Sequence, residues 1–421
     1  MKIHLDLDCF FAAAHRIGNP KLHNITIAVG GKSNVSIFDK EKHQKSLSQI
    51  NGAFSSSILN EEKSDSFQEY FVDQNGKIRG IVTTASYEAR SYGVKTAMPV
   101  AQALRLCPTL KMIPPNYPLY HKLSKQLKTL LEKEIPIIEQ FSIDEFFGDL
   151  DGWIEEKDAY DFALYLQNKI KKELQLPISI GLARSKWIAK LATTDAKPIG
   201  VKFVRDEDLD AYVNPKLLKE FPGIGQILQN KLHGYGIQTL KDLKERKELL
   251  YSWGKNEKQI YDRVCGNDNE KVDIKSDKKS IGLGRSFDPI KDRDEIRRRV
   301  VILCRHLAFI AYKDKIQPTN YALKIKYQYG ETNNVTVNTN RVFSELHLKE
   351  EISKLLKKVD IHPSHQIVQI GITLGGFNNK NQKTFDLFSF EDDTKQSKLS
   401  NSMQNLRDKF GIDIIKSGSE L

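Results

Sequence analysis

An acidic pair inside an apolar stretch constrains the fold of this chain most. Residues 138–150 read IEQFSIDEFFGDL, where Asp144 and Glu145 follow Phe141 and Ile143 and precede two phenylalanines. Charged side chains are seldom buried unless they are paired or bound to a metal. The pair therefore predicts a cation site at a strand end that faces a cleft, or else an exposed turn between two strands.

The N-terminal strand carries further carboxylates. Residues 2–8 alternate between apolar and polar side chains, which is typical of a half-buried strand, and the polar face carries Asp6 and Asp8. If this strand lies beside those that flank Asp144 and Glu145, the acids share one sheet edge. Strands and helices alternate over the first 200 residues and predict a mainly antiparallel α+β sheet.

Size and charge narrow the class of protein. The 421 residues allow two to four domains. The net charge of +11 favours a polyanionic binding partner, with nucleic acid ahead of membrane lipid. A basic protein without such a partner is the alternative. The four cysteines lack CxxC spacing, so neither a zinc site nor a disulfide framework is predicted. No membrane-spanning run or signal segment is found, so we expect a cytoplasmic location.

Two later segments favour contact with DNA. FPGIGQILQNKLHGYGIQTLKDL, residues 221–243, fits a helix-hairpin-helix in which Gly223 and Gly225 form the tight turn and the next helix offers N–H groups to a phosphate. A plain packing turn is the alternative. From residue 279 the order is strand, helix, strand, strand, helix, strand. Two helices cover one sheet face, so the face with Lys324 and Lys326 is expected either to lie along a duplex or to be simply solvated.

Several motifs occur in the order found in one polymerase family. They resemble the Y-family translesion DNA polymerases, especially the bacterial DNA polymerase IV branch, over most of residues 1–375. The matching segments are HLDLDCFFAA (4–13), TASYEARSYGVKTAMP (84–99), FSIDE (141–145), GLARSKWIAKLATTDAKPIG (181–200) and FPGIGQILQNKL (221–232).

The resemblance implies a multidomain α+β fold of the right-hand polymerase type. Its parts would be a palm (1–16 and 117–204), fingers (17–116), a helical thumb with the helix-hairpin-helix (205–270), a βαββαβ little finger (280–377) and a tail (378–421). The implied activity is template-directed DNA synthesis of low fidelity, which adds deoxynucleotides to a primer 3′ end in translesion synthesis and repair. A monomer is expected.

The resemblance also implies roles for single residues. Asp6, Asp144 and Glu145, with the Leu7 carbonyl, would hold two Mg²⁺ ions, because magnesium prefers oxygen ligands. Asp8 is expected to be a structural partner rather than a ligand.

Further residues match the nucleotide site of the family. Tyr87, Arg90 and Lys197 match triphosphate-binding positions, where cations and a phenol suit phosphate oxygens, and Thr84 would add a hydroxyl. Phe11 matches the aromatic steric gate that excludes a ribose 2′-hydroxyl, although simple core packing would also explain it.

The chain departs from the family pattern in three places. Polar residues from about 32 to 79 form a long insertion that we place in the fingers, with a composition typical of a mobile segment. FFGDL follows the acidic pair where an AYLD-like run is usual. TFDLF resembles the peptide that holds the sliding clamp, with threonine where glutamine is usual; its clamp-binding residues would be Thr384, Phe385, Leu387 and Phe388. The tail beyond this peptide has no assigned role.

Two other functions fit the same residues. One is a non-catalytic DNA-binding scaffold of this fold, which would not need Asp6, Asp144 and Glu145 together. The other is a two-metal nuclease with a helix-hairpin-helix, which would degrade DNA with metal alone and would ignore added deoxynucleotides.

Overall fold

The computed structural model describes residues 1–39, 66–73, 75–274, 278–377, 386 and 388–420. These residues form two compact units. The first unit contains residues 1–31 and 66–274, and the second contains residues 32–39 and the described residues from 278 onward. Residues 40–65, which make up most of the predicted insertion, lie outside the described chain. No described helix is both long enough and apolar enough to cross a membrane.

The first unit is built from short strands and helices in alternation. In chain order they are β1 (Lys2–Leu7), α1 (Phe10–Arg16), β2 (Ile27–Gly31), α2 (Phe67–Phe71), β3 (Ile81–Ala85), α3 (Tyr87–Ser91), α4 (Val100–Leu106), β4 (Lys111–Ile113), α5 (Tyr117–Glu134), β5 (Ile137–Gln140), β6 (Glu145–Asp149), α6 (Ala159–Leu174), β7 (Ile178–Ala183), α7 (Lys186–Ala196), β8 (Val201–Phe203), α8 (Leu209–Val213), α9 (Gln226–Gly234), α10 (Leu240–Lys244), α11 (Lys247–Trp253) and α12 (Lys255–Val264).

A five-stranded sheet forms the centre of the first unit. Its strand order is β5-β6-β1-β7-β8, and only the β7–β8 pair is parallel. The apolar face of β1, with Ile3 and Leu5 fully buried, packs in a core with α5 and α6. The sequence-based prediction of a mainly antiparallel α+β sheet is thus confirmed. Strand β1 lies between β6, which precedes α6, and β7, which precedes α7.

A smaller sheet and a helical segment complete the first unit. The sheet has the order β3-β2-β4 and covers Phe71, which is fully buried, so the end of the predicted insertion belongs to this core. Helices α8 to α12 pack around a separate apolar cluster. There Gly223 has φ 99°, a left-handed conformation that favours glycine, and Gly225 immediately precedes α9.

The second unit has the predicted order of strands and helices. Its elements are β9 (Ser280–Ile290), α13 (Arg293–Lys313), β10 (Asn320–Tyr327), β11 (Thr332–Asn338), α14 (Glu345–Val359), β12 (Ile367–Gly375) and α15 (Phe390–Phe410).

One face of the sheet in the second unit is buried. The sheet is antiparallel in the order β11-β10-β12-β9. The alternate residues of β10, from Tyr321 to Tyr327, are fully buried in a core with α13 and α14, whereas Lys324 is exposed and Lys326 is half-buried. Both lysines therefore lie on the open face, as the period-two pattern predicts.

The start of the insertion does not lie in the fingers, where the sequence placed it. Ile37 and Phe38 are buried in the core of the second unit. The Arg285 side chain donates a hydrogen bond to the Asn34 carbonyl (3.0 Å), and Arg298 donates one to the Phe38 carbonyl (2.8 Å). The predicted placement in the fingers was wrong for these residues, because Ile37 and Phe38 are two apolar side chains in a polar segment and pack in a core formed by residues distant in sequence.

Replacing Phe38 by alanine is expected to lower the free energy of unfolding of the second unit by about 3–5 kcal/mol, since removal of a buried aromatic ring leaves a cavity. The ring also contacts Phe287 (6.3 Å between centroids) and the Arg299 guanidinium (4.6 Å). Urea unfolding measures the loss. Val35→Ala, at a 41 % exposed position, is the control, and equal stability of the two variants would contradict this placement.

The tail beyond the clamp-like peptide is part of the second unit. Arg407 in α15 pairs with Glu345 of α14 (2.5 Å), and both side chains are buried. After α15, Asp413 and Glu420 both pair with the buried Arg305 of α13, at 2.8 Å and 2.6 Å. No role was predicted for this tail, and in the structure it packs as a cover on α13 and α14.

Candidate active site

Three predicted carboxylates lie at one edge of the central sheet. Asp6, near the end of β1, stands directly opposite Glu145, the first residue of β6. Asp144 precedes β6, and its carbonyl accepts a hydrogen bond from the Leu7 N–H (3.0 Å). The antiparallel pairing of two sequence-distant strands thus brings the acids together, and Leu7 ends β1 beside them.

Two lysines, one in α7 and one directly after it, face these acids. The Lys197 ammonium lies 2.6 Å from Asp6 Oδ1, and the Lys190 ammonium lies 2.5 Å from Glu145 Oε1. Lys190 belongs to α7 and Lys197 follows its last residue. The helix packs closely on β7 at Gly181, where a Cβ would collide with the Ala189 carbonyl oxygen. The sheet edge therefore has closely spaced negative charges, two of which are matched by cations.

Burial makes the negative charge at this edge costly. It raises the pKa of Asp6 to about 7, with Glu145 and Asp144 adding to the rise and Lys197 opposing it. Burial also raises the pKa of Asp144, although the Ser142 hydroxyl, which donates a hydrogen bond to its Oδ1 (2.6 Å), works against this rise. Oxygen ligands that are poorly solvated and close together fit a hard divalent cation.

Asp8 is buried, and three neighbouring groups donate hydrogen bonds to its carboxylate. It accepts bonds from the Tyr87 hydroxyl (3.0 Å), the Ser179 hydroxyl (2.8 Å) and the Ile199 N–H (2.8 Å). Its carboxylate is therefore occupied in joining the central sheet to α3 and to the segment after α7. This arrangement is that of a structural partner.

The predicted triphosphate residues of the fingers lie at the start of α3. Ser86 caps this helix through the Ala89 N–H, and Tyr87 is its first residue. Burial and the neighbouring Asp8 raise the pKa of Tyr87, so its hydroxyl stays a hydrogen-bond donor. The exposed Arg90 guanidinium lies 4.9 Å from the Tyr87 ring centroid. Thr84 lies on the preceding strand, β3.

Phe11, the predicted steric gate, lies on α1 directly after the strand of Asp6. It is 8 % exposed and stacks on Tyr120 of α5, with ring centroids 4.1 Å apart and planes 12° apart. Tyr117 contacts its edge (6.2 Å). The ring is therefore held in place by packing against two tyrosines of α5.

The predicted site residues of the second unit are placed less completely. Lys324 and Lys326 lie on the open face of its sheet. Of the clamp-like peptide, Thr384, Phe385 and Leu387 lie outside the described residues, and Phe388 is 97 % exposed.

Known proteins resemble the chain along nearly all of its length. The model of the impB/mucB/samB family matches residues 5–194, and the model of that family's C-terminal domain matches residues 278–387. A protein of Alkaliphilus oremlandii named DNA polymerase IV is 31 % identical over 81 % of this chain and 89 % of its own length. The chain is a Y-family DNA polymerase of the DNA polymerase IV branch. The predicted family is therefore confirmed.

Further comparisons extend the match of this polymerase. A Bacillus anthracis protein, also named DNA polymerase IV, is 28 % identical over all of the chain and 93 % of its own length. A solved Y-family DNA polymerase chimera of Dbh and Dpo4 superposes with a TM-score of 0.72 at 22 % identity, over 89 % of this chain and 98 % of that one. The multidomain α+β polymerase fold is thus confirmed.

Sequence reasoning missed one residue of this site. Lys190, which pairs with Glu145, was not singled out. It lies seven residues before Lys197, a spacing that places two residues of a helix on the same face. That periodicity is the signal that would have identified it.

Proposed function

We propose that Asp6, Asp144 and Glu145 hold two Mg²⁺ ions and that the chain uses them to add deoxynucleotides to a primer 3′ end. The chain is a DNA-directed DNA polymerase of the translesion class, and the proposal concerns how its residues act. The observation that carries it is the pairing of Asp6 with Glu145 across β1 and β6, with Asp144 adjacent. The Leu7 carbonyl is proposed as a further ligand.

The donor set suits the reaction of the family. Magnesium, when bound, activates the primer 3′-hydroxyl and stabilises the negative charge that develops on the triphosphate. The carboxylates would hold the magnesium ions in place. The raised pKa values of Asp6 and Asp144 indicate that a nearby cation would stabilise their ionised forms. We propose that Lys197 and Lys190 neutralise these acids in the free enzyme.

Three residues are proposed to bind the triphosphate. Arg90 is exposed. Its Nε–H donates a hydrogen bond to the Ala85 carbonyl (3.0 Å), and its terminal N–H groups are proposed to bind phosphate oxygens. The Tyr87 hydroxyl donates to Asp8 in the free protein and is the second donor. Lys197, whose ammonium lies 2.6 Å from Asp6 in the free protein, would be the third. Thr84 is proposed as an additional hydroxyl contact.

Phe11→Ala is expected to let the enzyme insert ribonucleotides, because the ring would no longer occupy the space of a ribose 2′-hydroxyl. The ratio of kcat/KM for deoxynucleotides to that for ribonucleotides should fall by about 100-fold or more, since a steric clash of this kind is worth several kcal/mol. Phe10→Leu on the same helix, a buried position, is the control. Unchanged discrimination in Phe11→Ala would leave Phe11 with a packing role only.

We propose two DNA-binding surfaces. The turn at Gly223 and Gly225 presents the N-terminus of α9 to a backbone phosphate, and the open face with Lys324 and Lys326 lies along the duplex. These contacts do not depend on sequence. The salt dependence of DNA affinity, compared between the chain and Lys324→Ala, tests the second surface, because each lost phosphate contact lowers the slope by about one.

Contact with a sliding clamp is proposed for the peptide from Thr384 to Phe388. The support is the sequence similarity and the 97 % exposure of Phe388, since an exposed aromatic ring suits a partner's apolar pocket. A monomer is proposed for the free enzyme. Primer extension tests the central proposal, because the nuclease and scaffold alternatives, which the family match does not favour, would not extend a primer.

A further inference from the structure

Three metal-ligating side chains lie together in the second unit. Glu331 lies in the turn between β10 and β11, and His362 and His365 lie in the loop between α14 and β12. The ligand atoms of all three are within 4.8 Å of one another, and His362 Nε2 is 3.1 Å from the Glu331 carboxylate. We propose that these residues bind one divalent transition-metal ion of the zinc class.

The loop that carries both histidines is fixed in place. Arg293 donates hydrogen bonds to the carbonyl oxygens of His362 (3.1 Å) and His365 (2.7 Å), and it also pairs with Asp360 (2.7 Å). The Tyr327 hydroxyl accepts from the His362 N–H (3.2 Å) and donates to Asp360 (2.8 Å). The two imidazoles are therefore held near each other before any ion binds, which lowers the entropic cost of binding.

The rings are oriented by their neighbours. The His365 N–H bonds to the His362 carbonyl (3.0 Å), which closes a turn and leaves the ring centroids 4.8 Å apart. The His365 ring packs edge-on against Tyr327 (5.7 Å) and Tyr329 (6.0 Å). Within the described ranges, no side-chain hydrogen bond engages the His365 ring, so its nitrogens are available as ligands.

The donor set selects the class of ion. Two imidazole nitrogens and one carboxylate suit zinc and its first-row neighbours, whereas magnesium prefers oxygen ligands only. In a tetrahedral site with bonds of about 2 Å, ligand atoms lie about 3.3 Å apart, close to the distance between His362 and Glu331. Both residues are partly exposed, so water can fill the remaining position.

The ion would cross-link two segments of the second unit. It would join the β10–β11 turn to the loop before β12, two segments that are otherwise connected through the β10–β12 pairing and the hydrogen bonds around Tyr327 and Asp360. Binding to the folded state alone would stabilise this end of the sheet. The inference does not depend on the proposed magnesium site.

Competition with a chromophoric chelator measures zinc binding to the full chain, with excess Mg²⁺ present to occupy oxygen-only sites. We expect one zinc ion per chain. His362→Ala and His365→Ala should each weaken it about 100-fold, and Glu331→Gln about 10-fold. Zinc should raise the melting temperature of the parent chain by about 5 °C but not that of the histidine variants.

His233→Ala, at an exposed position of the first unit, is the matched control and should bind zinc as the parent chain does. Circular dichroism checks that each variant is folded. If the parent chain binds no zinc at micromolar concentration, or if the variant without both His362 and His365 binds it as tightly as the parent, then Glu331 and His362 form a plain ion pair and the inference is overturned.

Discussion

Asp144→Asn is expected to lower the rate of primer extension by at least about 1,000-fold, which corresponds to about 4 kcal/mol of transition-state stabilisation. Asparagine keeps the size of the side chain and an oxygen that can accept the Ser142 hydrogen bond. It removes the negative charge that would hold a metal ion beside Asp6 and Glu145. The fold should not change, because the buried charge is costly in the absence of the ion.

Single-turnover extension of a labelled primer measures this loss, and thermal unfolding shows that the variant is folded. Asp151→Asn is the matched control, because this acid of the same unit is 63 % exposed and lies outside the acidic edge. It should extend the primer at the parent rate. If Asp144→Asn did so as well, the assignment of this residue as a metal ligand would be wrong.

Arg305→Met is expected to lower the free energy of unfolding of the second unit by about 3–5 kcal/mol at neutral pH. Removing one partner from a buried ion pair is strongly destabilising. Here Asp413 and Glu420 would both lose the Arg305 guanidinium, while Glu420 would keep the Lys349 ammonium at 3.0 Å. Burial opposes ionisation of Glu420, but Arg305 and Lys349 outweigh it and lower the pKa of Glu420 below its usual value.

The effect should depend on pH in a defined direction. A carboxylate with a lowered pKa in the folded state stabilises the fold above its unfolded pKa, and this contribution is lost as the pH falls through the folded pKa. The difference between the parent chain and Arg305→Met should therefore be largest near pH 7 and should shrink below about pH 4.5.

Urea unfolding at several pH values measures this difference. Arg297→Met is the control, because Arg297 is 57 % exposed and, among the described residues, pairs with its helix neighbour Asp294 alone. It should change the free energy of unfolding by less than about 1 kcal/mol. A loss in Arg305→Met no greater than that would show that the tail is not held by this ion pair. Removing residues 412–421 should destabilise the unit in the same way.

Local patterns account for what the sequence predicted. The alternation in residues 2–8 placed Asp6 on the polar face of β1, and the acidic pair fell at the start of β6. The period of two in β10 separated its buried tyrosines from Lys324 and Lys326. These patterns depend on neighbours in sequence, so they are readable without the structure.

Long-range packing decided the rest. Phe38 and Ile37 join a core whose other buried members begin at Ile281, more than 240 residues later, and nothing in their sequence neighbourhood indicates those partners. The pairing of Arg305 with Glu420 likewise connects residues 115 positions apart. Lys190 could have been found from its position seven residues before Lys197, about two helical turns earlier. The sequence alone could not place the beginning of the insertion or the tail.

This packing changes how the insertion should be tested. Deleting residues 33–78 would remove Phe38 from one core and Phe71 from another, so any loss of activity would be a loss of structure. Replacing only residues 40–65 by a Gly-Ser linker of equal length keeps Phe38 and Phe71 in the chain. Primer extension past a panel of damaged template bases would then compare lesion choice with and without the insertion.

The most direct test of the account is single-nucleotide incorporation by the purified chain with Mg²⁺, one deoxynucleotide at a time opposite each template base. We expect the complementary nucleotide to be added fastest at every template base, mismatches to be added at low but measurable rates, and Asp144→Asn to add none. Addition without regard to the template, DNA degradation that ignores deoxynucleotides, or an Asp144→Asn variant as active as the parent chain would contradict it.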